Sequence, residues 1–349
     1  MIVLFLLFLI SLGIYPFTSS SSLDCSNCVG SGQVWCVEQS QCNSSFVSCS
    51  TKISLQLNCP TKPKVPYDEH FARTQMLALA SASHNANPQL CLDNQIPTMK
   101  LYKVRTVNCS TDYPDVACYG YTAYDVTQKA IVISYRGSHG PNQNNQILEG
   151  MTRDGLHSYF GKGTGKIFKV IYDSFMLLWN DRINQDLRYL KYKYPDFELW
   201  LNGHSLGGAL SYTTASYLTT VGLYKPENMK IIVLAPTKIG DYDFAAWYSS
   251  TFSYSFHIIH RLDLIPRVPA IDPHTNTTVM FQPRTEIWYN NYMRLNDTYQ
   301  ICEEADGDYC SDAVTEGLNM NDHGFYFDIN ISNWGKDGCP KNTTGYAQP

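Results

Sequence analysis

The pentapeptide Gly203-His204-Ser205-Leu206-Gly207 holds a serine hydroxyl between two glycines, with a third at Gly208. Glycine at this density marks a turn too tight for a Cβ. The apolar stretch 197–202 before it reads as a strand, and 206–221 after it reads as a helix stopped near Gly222. A G-x-S-x-G sequence at a strand-to-helix junction is a nucleophile elbow, whose sharp turn lifts the hydroxyl above a sheet. Serine attacks only when a base takes its proton and an acid holds that base in the right tautomer. An acid and then a histidine are therefore expected after Ser205, at strand ends.

Asp263 lies just beyond the apolar run 255–260, and Pro266 and Pro269 stop the strand and stiffen the loop. It is the favoured acid over Asp241 and Asp243 in "KIGDYDF", which read as turn or helix-cap residues. Four histidines follow the serine. His257 and His260 belong to the strand before Asp263 and read as packing or loop residues, and His274 sits in the polar turn "DPHTNTT". His323, between a loop and the aromatic run "GFYF", is the favoured base. A tetrahedral intermediate also needs donors fixed in advance for its oxyanion. The backbone N–H of Leu206 is one, and Ser138, in "SYRGSHG" at the end of an upstream strand, offers backbone and hydroxyl.

The elements that must carry these residues alternate. A helix at 71–83, a buried strand at 129–137, one long helix at 167–194, and strands at 230–236 and 255–260 join the strand and helix of the elbow. Strands separated by helices predict an α/β fold around a mainly parallel sheet. Composition is that of a globular chain: 349 residues, 44% hydrophobic, 16% charged and net charge -5, which excludes the basic excess of a nucleic-acid binder and the composition of a disordered chain.

Residues 1–17 form a nearly unbroken apolar run ahead of "TSSSSL", read as a signal peptide over 1–20, with an uncleaved membrane anchor as the alternative. No later segment is long and apolar enough to span a bilayer. Twelve cysteines and six glycosylation sequons, at Asn43, Asn108, Asn276, Asn296, Asn330 and Asn342, fit a secreted, extracellular glycoprotein. Six of the cysteines crowd into the first 59 residues, ahead of the proline-rich "NCPTKPKVPYDEH". That stretch marks a boundary between a cysteine-rich module with its linker, 21–62, and the larger domain, 63–349. "CSNC" has zinc-like spacing, but no second pair of ligands follows it, and nothing calls for a metal or other cofactor.

Taken in order, "IVISYRGS", "LNGHSLGGALS", "LAPTKIGDYDF", "RLDLIPRVP" and "DHGFYF" resemble the class 3, fungal-type lipase family, over roughly residues 67–335. The chain resembles especially its secreted animal members with a cysteine-rich N-terminus, and that N-terminus is similar to PSI modules through "GQVWC". The resemblance implies an α/β-hydrolase fold, a triad of Ser205, Asp263 and His323, an oxyanion hole from Ser138 and Leu206, and a lid at about 139–155. The sequence departs from the family in "APTKIGD", where an arginine is common, and in a polar lid whose main apolar residues are Ile147, Leu148 and Met151. The implied substrate is a lipid or other ester met at a lipid–water interface: an acylglycerol first, with phospholipids or short-chain esters as alternatives. A catalytically silent lipid-binding protein is the rival of another class. No protein partner of the cysteine-rich module can be read from the sequence.

Overall fold

The runs Ile131–Val132–Ile133 and Leu199–Trp200–Leu201 are apolar at every position, as a sheet covered on both faces requires. The computed structural model describes residues 24–44, 48–306 and 310–348, so the leader expected at 1–20 lies outside the described residues. They divide into two compact units, Met1–Gln56 and Leu57–Pro349, with the division falling ahead of the proline stretch.

In the smaller unit, Asp24 caps a short helix, Cys25–Gly30, by accepting from Asn27 N–H. A three-stranded antiparallel sheet follows, in the spatial order Gln41–Asn43, Val34–Cys36, Lys52–Ile53. Disulfides Cys28–Cys42 and Cys36–Cys49 fasten it. Its buried residues are mostly cysteines with Val34 and Ile53, so sulfur bridges do what an apolar core would do in a larger domain.

The larger unit is built on eight strands: β1 Lys100–Asn108, β2 Ala117–Asp125, β3 Ala130–Tyr135, β4 Glu198–His204, β5 Met229–Leu234, β6 Ser255–His260, β7 Glu286–Tyr289 and β8 Gln300–Cys302. They lie side by side in chain order. β3 to β7 are mutually parallel, while β1–β2, β2–β3 and β7–β8 pair antiparallel. The parallel centre is the expected one, and the antiparallel margins make the whole sheet mixed.

Side chains alternate between the two faces of this sheet. Ile131, Ile133, Leu199, Leu201, Ile231 and Val233 enter one core; Val132, Trp200, Ile232, Leu234, Phe256 and Ile258 enter the other. The second core is covered by helix α1 Leu77–Ala82. The first is covered by α2 Gly140–Asp154, α3 Lys169–Leu178, α4 Asn184–Lys193, α5 Leu206–Thr220 and α6 Tyr242–Thr251. A last short helix, α7 Ile331–Lys336, returns to the α1 side.

The single long helix expected over 167–194 is two helices. Asp181 and Arg182 leave helical geometry, Arg182 at φ 81°, and the chain turns there between α3 and α4. Periodicity on both sides of the break is helical, so the pattern alone runs through it. Disulfides Cys91–Cys339, Cys109–Cys118 and Cys302–Cys310 staple the larger unit, and no described cysteine is free. Both cysteines of "CSNC" are disulfide-bonded, which removes the thiolates a metal would need. Among the described residues no helix is long and apolar enough to cross a membrane.

Candidate active site

β4 ends at His204 and α5 begins at Leu206, leaving Ser205 alone in the turn at φ 57°, ψ -124°. That is a strained conformation for a residue with a side chain, and such outliers persist where neighbours over-determine them. The neighbours are tight. A Cβ on Gly203 would lie 2.3 Å from the carbonyl carbon of Gly207, and one on Gly207 would lie 2.2 Å from the Tyr135 carbonyl oxygen. Both glycines are therefore steric requirements of the elbow. Ser205 N–H is tied to Leu234 O at the end of β5 (2.9 Å).

The other expected residues gather at the same, carboxyl-terminal edge of the parallel strands, where open α/β sheets bind their ligands. Asp263 follows β6 and is fully buried; Ser205 and His323 keep 8% and 9% of their surface exposed. The loop carrying His323 runs beside the one carrying Asp263 because Asn319 N–H donates to Leu262 O (2.9 Å) and Leu264 N–H to Asn319 O (3.2 Å). His323 Nδ1 thus reaches both Asp263 oxygens, at 3.0 and 2.9 Å. A carboxylate only accepts, so Nδ1 carries the proton and Nε2 is left as the acceptor. Nε2 has no hydrogen-bond partner among the described residues, and the bond from a nucleophile to its base commonly tightens only when substrate binds.

Asp263 has its remaining lone pairs filled by Ile265 N–H on Oδ1 (2.9 Å) and Tyr326 O–H on Oδ2 (2.7 Å). Burial first, and then the Asp263 charge, push the Tyr326 phenol well above its ordinary range, so it stays a donor. Two buried histidines tether the loop that carries His323. His204 Nε2 donates to His323 O (2.8 Å), and His260 Nδ1 donates to Asp322 O (2.9 Å). The rings of His204 and His323 lie 4.4 Å apart. Burial, and after it the nearby His323, lowers the His204 pKa well below the usual range; burial lowers that of His260 too. Each is therefore a neutral imidazole with one N–H to give.

Of the oxyanion candidates, Leu206 is the first residue of α5, and its N–H belongs to the turn that has no intrahelical partner. Ser138 follows Gly137, where a Cβ would sit 3.3 Å from Ser205 Cβ, so the 137–138 backbone flanks the serine. The rival acids lie elsewhere: Asp241 caps α6 through Phe244 N–H (2.9 Å) and Asp243 is in the first turn of that helix. His257 lies 3.8 Å from Glu286 inside the sheet, and His274 Nδ1 donates to Thr152 O (2.8 Å). His204, His260 and Tyr326 went unread as site residues, although His204 stands inside the elbow motif and Tyr326 lies in "DHGFYF".

The lid candidate is helix α2, whose Ile147 and Met151 point into the core while Leu148 stays exposed. The loop closed by Cys109–Cys118 braces it: Tyr113 O–H donates to Glu149, Asn142 to Asp115 and Gln146 to Cys109 O. Lys238, in "APTKIGD", is buried and pairs with Asp306 (3.1 Å) and Asp312 (2.9 Å). A lysine thus serves as the buried cation at that point.

The class 3 lipase family model matches residues 132–272. An uncharacterized Caenorhabditis elegans protein, C40H1.2, is 64% identical over 256 residues, covering 73% of this chain and 92% of its own. Lipase ZK262.3 of the same organism is 24% identical over 320 residues, covering 81% of this chain and 86% of its own. Among solved structures, the lipase of Rhizopus microsporus var. chinensis superposes with a TM-score of 0.63 at 22% identity, over 78% of this chain and 92% of that one. The Rhizomucor miehei triacylglyceride lipase does so at 0.63 and 21%, over 77% and 97%. The fold is that of the α/β hydrolases. The chain belongs to the class 3 lipase family and, with it, is a carboxylic ester hydrolase.

Proposed function

We propose that the protein is a secreted, triacylglycerol lipase-like enzyme that acts through an acyl-enzyme on Ser205. The observation that carries this is the buried Asp263–His323 pair, its Nε2 left as an acceptor, beside a strained serine on an elbow. His323 takes the Ser205 proton as Oγ attacks the acyl carbonyl, and the Asp263 carboxylate balances the imidazolium. The N–H of Leu206 and the backbone or hydroxyl of Ser138 receive the oxyanion, each such donor contributing on the order of 10²–10³ in rate. His323 then protonates the departing alcohol, and a water it activates releases the acid. Twelve disulfide-bonded cysteines and an apolar leader support an extracellular setting.

The test is covalent labelling of the native protein with an alkyl fluorophosphonate, followed by peptide mapping. One phosphonate on the peptide containing Ser205, with parallel loss of p-nitrophenyl ester and triolein hydrolysis, is expected. A label on another serine, or none on active protein, would refute the assignment.

His204 acts in this scheme by position. Replacing it with Leu leaves the His323 carbonyl without its donor and frees the base loop, and a displacement of about 1 Å costs on the order of 10² in rate. The expected result is a kcat lowered by that order with KM nearly unchanged, and recovery in His204→Gln, whose amide can donate again. If both variants were equally slow, the tether would be irrelevant and only packing would matter.

A further inference from the structure

Beside the Ser205 turn stand two cations that make no ion pair among the described residues, Arg136 and Lys336. Arg136 stands just before Gly137 and Ser138, with its guanidinium over the Tyr119 ring, 5.3 Å from the centroid. Its Nη2 donates to Ala117 O (2.7 Å), while its buried Nε has no partner. Tyr119 O–H donates to Asn85 O (2.8 Å), and Asn85 Nδ2 donates to Gly335 O (3.0 Å) and Lys336 O (2.8 Å). A Cβ on Gly335 would lie 3.2 Å from His84 Cβ. These contacts bring together His84 after α1, Arg136 after β3 and the backbone of Lys336 at the end of α7, and His139 follows Arg136 by three residues, just before α2.

Among the described residues, no carboxylate lies within 4.0 Å of the charged nitrogens of Arg136 or Lys336, although the chain as a whole is acidic at -5. His84 Nε2 is buried without a partner as well. Burial, then Arg136 and Lys336, push His84 down to about 3, and the same causes in the same order lower His139. The imidazoles are therefore neutral hydrogen-bonding groups, and the two uncompensated cations, Arg136 and Lys336, would attract an anion.

We propose that Arg136, His139 and Lys336, backed by His84, form an anion subsite on the rim of Ser205 that receives the phosphate of a glycerophospholipid whose acyl ester is cleaved there. This rests on the reading of Ser205 as the nucleophile. A released fatty acid does not fit the subsite, because its carboxylate carbon is the former acyl carbon and lies on Ser205 itself. A phosphodiester remains charged, sits a few bonds from the ester on the same glycerol, and offers oxygens suited to a guanidinium fork. Ser205 Oγ would bond to the acyl carbon, the bond from that carbon to the glycerol oxygen would break, and the glycerol oxygen would take the proton from His323. A lysophospholipid leaves, and water then frees the fatty acid.

The experiment uses the full secreted chain and mixed micelles holding equal mole fractions of dioleoylphosphatidylglycerol or dioleoylglycerol, with a soluble short-chain ester as reference. Wild type should hydrolyse the phospholipid. Lys336→Glu should lower the ratio of kcat/KM for phospholipid to that for dioleoylglycerol by about tenfold, mostly through KM, and His139→Gln should lower it less. Both side chains are exposed, so the variants should fold. Hydrolysis of the neutral esters alone, or an unchanged ratio in both variants, overturns the subsite and leaves the serine hydrolase standing. Inhibition by inorganic phosphate without phospholipid turnover also overturns it, assigning the cluster to free anions. Inertness toward all three substrates removes the hydrolase reading as well.

Discussion

Under the proposed mechanism, Ser205→Ala should lower kcat on every ester the enzyme accepts by on the order of 10⁶, because loss of the nucleophile would disable the unit to which the base and acid also belong. What remains, about 10³–10⁴ over water, is the share of the oxyanion donors and substrate binding. The fold has little stake in the hydroxyl. Ser205 is anchored by its backbone, through N–H to Leu234 O, and the geometry of the turn comes from the close approach of Gly203 and Gly207. Ser205→Gly supplies the control. It is equally inactive, and since a glycine adopts φ 57° without strain, it should melt no lower than the alanine variant. Parallel ester assays and thermal melts decide the matter. Loss of activity together with loss of folding in both variants would mean that the serine is structural, and near-normal turnover would place the nucleophile elsewhere.

The elbow was legible because its causes are local: two glycines that must be glycines, a strand before them and a helix after, all within a few residues of Ser205. Asp263 and His323 were legible only as candidates. What joins them is the pairing of Asn319 with Leu262 and Leu264, and nothing in the types of those residues announces it. The support around them was less visible still. His260 reads as a packing or loop residue because a buried histidine usually is one, His204 reads only as a variable position of the elbow motif, and the carbonyls opposite their rings reveal what each holds. In the fold, β1 escaped notice because it is an edge strand of mostly half-exposed residues, and β7 because "EIWY" is only four residues long. The turn at Asp181–Arg182 carries no proline or glycine to mark it. Lys238 shows the opposite case, a departure from the family pattern that was plain in the sequence but took on meaning only with Asp306 and Asp312 beside it.

Asp263→Asn should cost about 10⁴ in kcat while leaving the backbone of the site in place. The carboxylate accepts four hydrogen-bond contacts: His323 Nδ1 on both oxygens, Ile265 N–H on one and Tyr326 O–H on the other. An asparagine presents one oxygen and one NH₂ in the same volume. If the NH₂ faces His323, Nδ1 must become the acceptor; the proton then moves to Nε2 and points at Ser205, where a base can no longer act. If the oxygen faces His323, the NH₂ confronts the donors from Ile265 or Tyr326, and a buried donor is left unpaired at about 1–3 kcal/mol. Both orientations also remove the charge that balances the imidazolium. Tyr326→Phe separates these effects, because it deletes one donor and keeps the carboxylate; it should lose far less activity than Asp263→Asn. The pair of kcat values, read with the low-field proton resonance of His323 Nδ1–H, makes the test. That resonance should vanish in Asp263→Asn and persist in Tyr326→Phe. Equal losses in the two variants would mean that Asp263 serves the packing of the loop, and the acid would have to be sought on another strand end.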